Sequence, residues 1–107
     1  MKAGKEISIV QTTVSSLGEA QKLAALVLRR RLGACVHLIP VTSIYRWKGK
    51  KETSSEILLS IKTRRPLAAA LADLLKKNHP YELPEIIVLP VAAAGYDYAA
   101  WVYKETK

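Results

Sequence analysis

Residues 34–63 read ACVHLIPVTSIYRWKGKKETSSEILLSIKT, and this stretch decides the fold. Two runs rich in β-branched and aromatic residues, Ala34–Trp47 and Glu52–Thr63, flank the basic segment Lys48–Lys51, which contains Gly49. Such runs around a short glycine-containing turn predict a β-hairpin. Because strands in globular domains average about five to six residues, arms of this length are expected to project beyond the sheet of a small domain.

A projecting hairpin carries unpaired backbone groups along its outer edge, and these are available to another chain. Pro40 interrupts the first arm, which indicates a bulge, an edge strand or a change of pairing partner at this point. The hairpin therefore predicts assembly with further copies before it predicts any chemistry.

Composition indicates one soluble domain over residues 1–107, half of them hydrophobic. No apolar run approaches the ~20 residues of a spanning helix, and the first six residues do not begin a signal-type apolar core. A lone cysteine, Cys35, forms no internal disulfide and fits a reducing compartment. We therefore expect a cytoplasmic protein without a membrane partner.

The net charge of +8 is compatible with an acidic partner, nucleic acid included. Its distribution favours a solvated surface instead. The basic runs Arg29–Arg31 and Lys76–Lys77 fall at predicted helix ends, where cations complement the helix dipole. No aromatic residues are interleaved with them in the manner of a ribonucleoprotein motif, so we expect no nucleic-acid partner.

Outside the hairpin the chain predicts two further strands and three helices. Ser16 and Glu19 have the spacing of a capping box, and Gly33 stands where a glycine often closes a helix. Pro66 suits the first turn of the second helix. The predicted elements are a strand over 7–14, a helix after Ser16, the hairpin, a helix from Pro66 to Asn78, a strand over 85–90 and a short helix near Asp97.

This order predicts an α+β fold, a ferredoxin-like βαββαβ sandwich with an extended β2–β3 hairpin and a short C-terminal helix. Both main helices would cover one face of a four-stranded antiparallel sheet. The other face would be bare in a single chain, and oligomerisation covers a bare face.

Several motifs at consistent spacing resemble those of the CutA family, the divalent-cation-tolerance proteins. They are ACV-x-LIP, SIYRWKG, EILLSIKT, HPYELPEI and DYAAW, and the resemblance extends over residues 7–103. It implies a PII-like homotrimer held by its hairpins, a link to copper or other divalent metals, and no established enzymatic reaction. Because the trimeric PII signalling proteins share this architecture, the alternative is a signalling module that binds a small anionic ligand between subunits.

For a divalent metal such as copper or zinc, His79 is the strongest single ligand candidate, because imidazole is a common ligand of both. The resemblance implies paired histidines at the end of the second helix and a cysteine near the end of the first strand. Asn78 and Thr12 occupy the other two positions here. A helix-end histidine that forms local hydrogen bonds is the competing interpretation. Cys35 and His37 share a strand face and form a second possible donor pair.

A second set of residues predicts a cleft between subunits with aromatic walls and a few polar groups, a composition typical of small-ligand pockets. The competing interpretation is an interface in which the same side chains pack. The set is Tyr45, Trp47, Glu56, Lys62, Tyr81, Glu85, Tyr98 and Trp101.

Enzymatic motifs are missing from the sequence, which has no phosphate-binding loop and no dinucleotide fingerprint. With two histidines and one cysteine, few nucleophile–base arrays are possible. The loop after the first strand contains no arginine to hold a phosphate as acylphosphatases do. We therefore expect a protein that is not an enzyme.

Overall fold

The computed structural model describes residues 6–107; the first five residues, which include most of the segment inspected for a signal sequence, lie outside the described part. Four strands and three α-helices follow one another in the predicted order, with a single 3₁₀ turn at Arg65–Leu67 before the second helix. The elements are β1 (Ile7–Val14), α1 (Leu17–Arg29), β2 (Cys35–Trp47), β3 (Lys50–Arg64), α2 (Ala68–Asn78), β4 (Ile86–Pro90) and α3 (Tyr96–Glu105).

The four strands form one antiparallel sheet in the order β2-β3-β1-β4. The central strand β1 pairs with β3 on one side and with β4 on the other. This topology confirms the predicted ferredoxin-like fold. No helix within residues 6–107 is long and apolar enough to cross a membrane.

The main core lies between the sheet and the helices α1 and α2. Val10 and Val14 of β1 and Leu59 of β3 are completely buried on the helix-facing side. The Ser16 hydroxyl caps α1 by accepting a hydrogen bond from the Glu19 backbone amide at 3.2 Å, which confirms the predicted cap.

The hairpin is longer and its turn tighter than the sequence predicted. Lys50 and Lys51 pair with Trp47 and Arg46, so they belong to β3 and the turn contains only two residues. Lys48 and Gly49 have φ values of 51° and 79°. Positive φ at both central residues matches the right-handed twist of the flanking strands. The longest dimension of the chain is 45 Å.

Gly33 does not close α1, and that prediction was wrong. The helix ends at Arg29, and the residue with a left-handed backbone is Arg31, at φ 55°. A side chain at position 33 would place its Cβ 2.7 Å from methyl carbons of both Val27 and Ile61. Glycine is needed there because the turn after α1 passes directly over the core.

The sheet face opposite α1 and α2 is only partly bare. α3 covers one end of it, where Ala99 and Val102 bury Ile7. The rest of the face exposes large apolar side chains, among them Ile39 at 42% and Leu89 at 41% of their accessible surface. The prediction of an uncovered face therefore holds for the middle of the sheet and fails at the end beneath α3.

Candidate functional site

His79 follows the last residue of α2, and both nitrogens of its ring have hydrogen-bond partners. Nδ1 accepts a hydrogen bond from the Tyr81 backbone amide at 3.1 Å. Nε2 lies 2.9 Å from the Thr12 hydroxyl and 3.0 Å from the Thr13 carbonyl oxygen. Because Nδ1 accepts and the Thr13 carbonyl can only accept, the proton of the neutral ring is on Nε2.

Burial lowers the pKa of His79 below its ordinary value, although the hydrogen bond to Thr13 and the nearby carboxylates of Glu19 and Glu56 act in the opposite direction. The ring is therefore neutral at physiological pH. A neutral imidazole is the form that binds metals, but here each nitrogen already has a partner. This geometry agrees with the interpretation of His79 as a helix-end residue that forms local hydrogen bonds.

Cys35 and His37 lie two residues apart on the same face of β2, as strand alternation predicts. His37 Nδ1 is 2.8 Å from the Lys62 ammonium, which must be the donor. Lys62 also donates to the Ser60 hydroxyl at 3.1 Å. A positive charge this close to His37 opposes the binding of a cation.

Within residues 6–107, no three side chains of His, Cys, Asp or Glu come close enough to hold a metal ion. His79 lies near Thr12, whereas Cys35 and His37 lie near Lys62. Of these three candidates, only Cys35 and His37 share a strand face in the single chain.

Five of the eight predicted cleft residues line one open groove of about 890 Å³ between the hairpin and the loop that follows α2. We call it the hairpin groove. It is lined by Thr13, Ser15, Ser43, Ile44, Tyr45, Arg46, Trp47, Ser54, Ser55, Glu56, Tyr81, Glu82, Leu83, Pro84 and Glu85.

Two side-chain hydrogen bonds hold carboxylates of the hairpin groove in place. The Tyr81 hydroxyl donates to the Glu56 carboxylate at 2.7 Å, which ties the loop to β3. The Gln11 amide donates to the Glu85 carboxylate at 3.1 Å, which ties the end of the loop to β1. Burial, followed by the hydrogen bond to Glu56, raises the pKa of Tyr81, so this phenol stays protonated.

The other three predicted cleft residues lie elsewhere in the single chain. Lys62 contacts His37 on the exposed sheet face. Tyr98 and Trp101 stack on α3 with ring centroids 5.8 Å apart. Burial raises the pKa of Tyr98, and the neighbouring Cys35 thiol raises it further. The hairpin groove of one chain and the group Lys62, Tyr98 and Trp101 would form one cleft only if a second copy of the chain supplied one of them. This cleft between subunits stays a prediction.

Sequence reasoning missed Arg46, Glu82 and Leu83 as lining residues of the hairpin groove. Strand alternation places Arg46 on the opposite face from Tyr45 and Trp47. The strong twist of a two-stranded ribbon brings both faces toward one groove. For Glu82 and Leu83 the signal was available, because they stand between the selected residues Tyr81 and Glu85.

Together these features define a class: a ferredoxin-like domain with a projecting hairpin and an open groove. His79 is within hydrogen-bonding distance of Thr12, Thr13 and Tyr81, and His37 is within hydrogen-bonding distance of Lys62.

Residues 8–105 match the family described as CutA1 divalent ion tolerance protein. "Protein CutA" of Homo sapiens is 48% identical over 89 residues, covering 82% of this chain and 50% of the human protein. "Divalent-cation tolerance protein CutA" of Salmonella newport is 43% identical over 98 residues, covering 91% of this chain and 85% of that protein. The chain belongs to the CutA1 divalent ion tolerance family.

Solved structures agree with the fold. The crystal structure of CutA1 from Oryza sativa superimposes with a TM-score of 0.92 at 36% identity, covering 99% of this chain and 98% of that one. CutA1 from Ehrlichia chaffeensis gives a TM-score of 0.92 at 27% identity, with 97% and 98% of the two chains covered. The chain spans about half the length of the mammalian relatives it matches.

Proposed function

We propose that this protein is a homotrimer that contributes to tolerance of divalent metal ions, copper in particular, without catalysing a reaction. The single observation that carries the proposal is the partly bare sheet face beside a projecting hairpin, in a chain of the CutA1 family. Ile39, Ile87 and Leu89 are each about two-fifths exposed on that face. Exposed apolar side chains grouped on one face favour burial against another subunit.

The unpaired edge of β2 supplies a second reason for assembly. The residues that flank a two-residue turn form a hydrogen-bonded pair, so the amide of Trp47 points toward β3. Successive residues of a strand direct their backbone nitrogens to opposite edges. The nitrogens of every second residue from Pro40 to Ile44 therefore point to the outer edge of β2. Proline at position 40 has no amide hydrogen and is tolerated for this reason. The remaining outward amides are free to pair with another subunit.

We propose that metal binding is weak and depends on assembly, because in the single chain the Lys62 ammonium beside His37 opposes the binding of a cation. A transition-metal site needs three or four donors, and no group of three His, Cys, Asp or Glu side chains forms within residues 6–107 of one chain. We propose that further donors come from a neighbouring subunit. Copper and zinc are the ions that thiol and imidazole ligands suit.

Calorimetric titration with Cu²⁺ and Zn²⁺ tests the metal part of the proposal. We expect the wild type to bind and Cys35→Ser with His37→Gln to bind more weakly, whereas His79→Gln is expected to keep the wild-type affinity. A protein that binds neither ion would refute metal binding. Equal affinity in the wild type and the double variant would exclude the Cys35–His37 pair.

The oligomeric state is tested separately by light scattering on a sizing column. We expect three times the chain mass of 11.8 kDa. A monomer at micromolar concentration would contradict the trimer, whatever the metal titration shows.

A cytoplasmic location is also proposed, from the lone Cys35. Among the relatives, the Oryza sativa protein is called chloroplastic and an Archaeoglobus fulgidus structure is called periplasmic.

The alternative, a PII-like module that binds a small anionic ligand, has less support from the hairpin groove. Glu56, Glu82 and Glu85 line it, with Arg46 as the cationic residue of the lining. An anion would lie among carboxylates there.

A further inference from the structure

We propose that a basic surface at one end of the domain docks an acidic segment of a partner protein, a segment that carries carboxylates together with apolar side chains. This surface, the basic end, is built from the end of α1, the residue after β3 and the end of α3. Its exposed cations are Arg29, Arg30, Arg31, Arg65, Lys104 and Lys107. Docking of this kind depends neither on the metal function proposed above nor on the trimer.

Hydrogen bonds bring the segments of the basic end together from distant parts of the chain. The Arg31 guanidinium donates to the Lys104 carbonyl at 2.9 Å, and the Lys107 amide donates to the Arg31 carbonyl at 3.0 Å. The last residue of β3, Arg64, donates to the Thr106 carbonyl at 2.8 Å. Residues 73 positions apart along the chain therefore contribute to one cationic surface.

The charge of the basic end exceeds what the surrounding structure offsets. A helix C-terminus carries about half a negative elementary charge, so the ends of α1 and α3 together offset about one cation. Two carboxylates lie at this end, those of Glu6 and Glu105, and Glu6 pairs with Arg65 at 2.6 Å. Within residues 6–107 the other five exposed cations have no ion-pair partner. Complementing the helix dipole, the role that the sequence predicted for Arg29–Arg31, therefore accounts for a fraction of this charge, and the excess attracts an acidic partner.

The basic end is separate from the surfaces proposed to assemble. It lies where β3 ends at Arg64, whereas the hairpin turn precedes Lys50 at the other end of the same strand. A strand of 15 residues spans roughly 45 Å. The end of α1 belongs to the helical layer, on the opposite side of the sheet from the bare face. A second copy that covers the bare face and pairs with β2 therefore leaves Arg29–Arg31 accessible.

Leu28 favours a polypeptide over a nucleic acid as the partner. It directly precedes the three arginines, it is 46% exposed, and its carbonyl accepts the Arg31 amide at 3.0 Å. A polypeptide offers apolar and acidic side chains together, whereas a phosphate backbone would leave Leu28 in water. The ring of Tyr103 at this end has one face covered by the Arg64 guanidinium, 4.6 Å from its centroid, which hinders base stacking there.

The test is fluorescence anisotropy of the full chain with a dye-labelled peptide of repeated Glu-Glu-Leu units at physiological salt. A peptide with Gln in place of Glu and a single-stranded oligonucleotide are the comparison probes. We expect the acidic peptide to bind and the neutral peptide not to bind. Arg29→Gln with Arg30→Gln should weaken binding about tenfold, and Leu28→Gln about threefold. All three side chains are exposed, so both variants are expected to fold, which circular dichroism checks.

Lys76→Gln with Lys77→Gln is the matched control, because it removes the same charge from two exposed residues in the last turn of α2, outside the basic end. We expect it to leave peptide binding unchanged. Equal weakening by the two pairs of substitutions would mean general charge attraction and would overturn the proposal. So would an absence of binding at ~100 µM peptide, equal binding of the neutral peptide, or wild-type affinity in Leu28→Gln. Tighter binding of the oligonucleotide than of the acidic peptide would assign the basic end to nucleic acid, which also overturns it.

Discussion

His79 Nε2 lies 2.9 Å from the Thr12 hydroxyl, so the end of α2 is joined to the central strand by an imidazole–hydroxyl contact. Thr12 is fully buried, whereas His79 is part-buried. The same ring accepts the Tyr81 amide through Nδ1 and so holds the first turn of the loop that forms one wall of the hairpin groove. The histidine acts as a connection between core and groove.

This connection predicts a pH-dependent stability. The folded protein lowers the pKa of His79 below its unfolded value, mainly by burial. As pH falls below about 6.5, the unfolded chain takes up a proton that the folded chain does not, so the free energy of unfolding decreases. Guanidinium unfolding at a series of pH values from 8 to below 6 measures this slope.

The variant His79→Gln should have a flatter pH profile, because an amide can donate and accept in the same place without titrating. His37→Gln is the control, since His37 is exposed on the edge strand and we expect the wild-type slope to remain. A wild-type slope that survives in His79→Gln would assign the pH dependence to another group.

Gly33→Ala should destabilise the protein, because the added methyl group would approach Val27 and Ile61 to 2.7 Å. Both neighbours are completely buried and cannot move aside without disturbing the core. We expect a loss of about 1–3 kcal/mol, measured by chemical denaturation. Gly18→Ala is the control within α1, where the added atom meets nothing within 4 Å and stability should be unchanged or higher by up to about 1 kcal/mol.

Arg64→Met should loosen the C-terminal end of α3. The Arg64 guanidinium donates to the Thr106 hydroxyl at 2.9 Å, to the Thr106 carbonyl at 2.8 Å and to the Tyr103 carbonyl, and it lies over the Tyr103 ring. Removing it leaves these carbonyl groups without their donor, at a cost of about 1–3 kcal/mol. Amide hydrogen exchange in residues 96–107 should become faster.

The neighbouring Arg65→Met is the matched control for α3. Arg65 pairs with Glu6 on the surface, where both side chains are about half exposed, and such pairs contribute little. Amide hydrogen exchange in α3 of the Arg65→Met variant should match that of the wild type. Unchanged exchange in Arg64→Met would show that apolar contacts of Ala99 and Val102 hold the helix by themselves.

Ile44→Pro should dissociate the proposed trimer and leave the hairpin folded. The amide at position 44 points away from β3, in the same phase as Pro40, so the β2–β3 ladder loses no hydrogen bond. A neighbouring subunit that pairs with this edge would lose one. Light scattering reports the assembly and circular dichroism reports the fold.

Two further variants serve as controls for the Ile44→Pro experiment. Ile44→Thr removes the apolar side chain and keeps the amide, so it should keep more of the assembly than Ile44→Pro does. Ser43→Pro removes an amide that points toward β3 and should disrupt the hairpin itself. An intact trimer with proline at position 44 would show that this part of the edge does not pair between subunits.

Local patterns predicted most of the fold, because each element carries its own signal. The helix cap at Ser16, the alternation along β3 and the glycine of the hairpin turn are properties of neighbouring residues. The prediction failed at Gly33, where the reason for glycine is a contact with Ile61, 28 positions away along the chain. A helix-end signal and a close-packing requirement look the same in the sequence.

The sequence by itself determined the order of elements, the long hairpin and the family, since these follow from periodicity and motif spacing along the chain. Only the tertiary structure decided which of the candidate side chains meet. It placed Tyr45, Trp47, Glu56, Tyr81 and Glu85 around one groove, and Lys62 beside His37. Both outcomes depend on strand register and on the twist of the ribbon, which set distances between residues far apart in the chain.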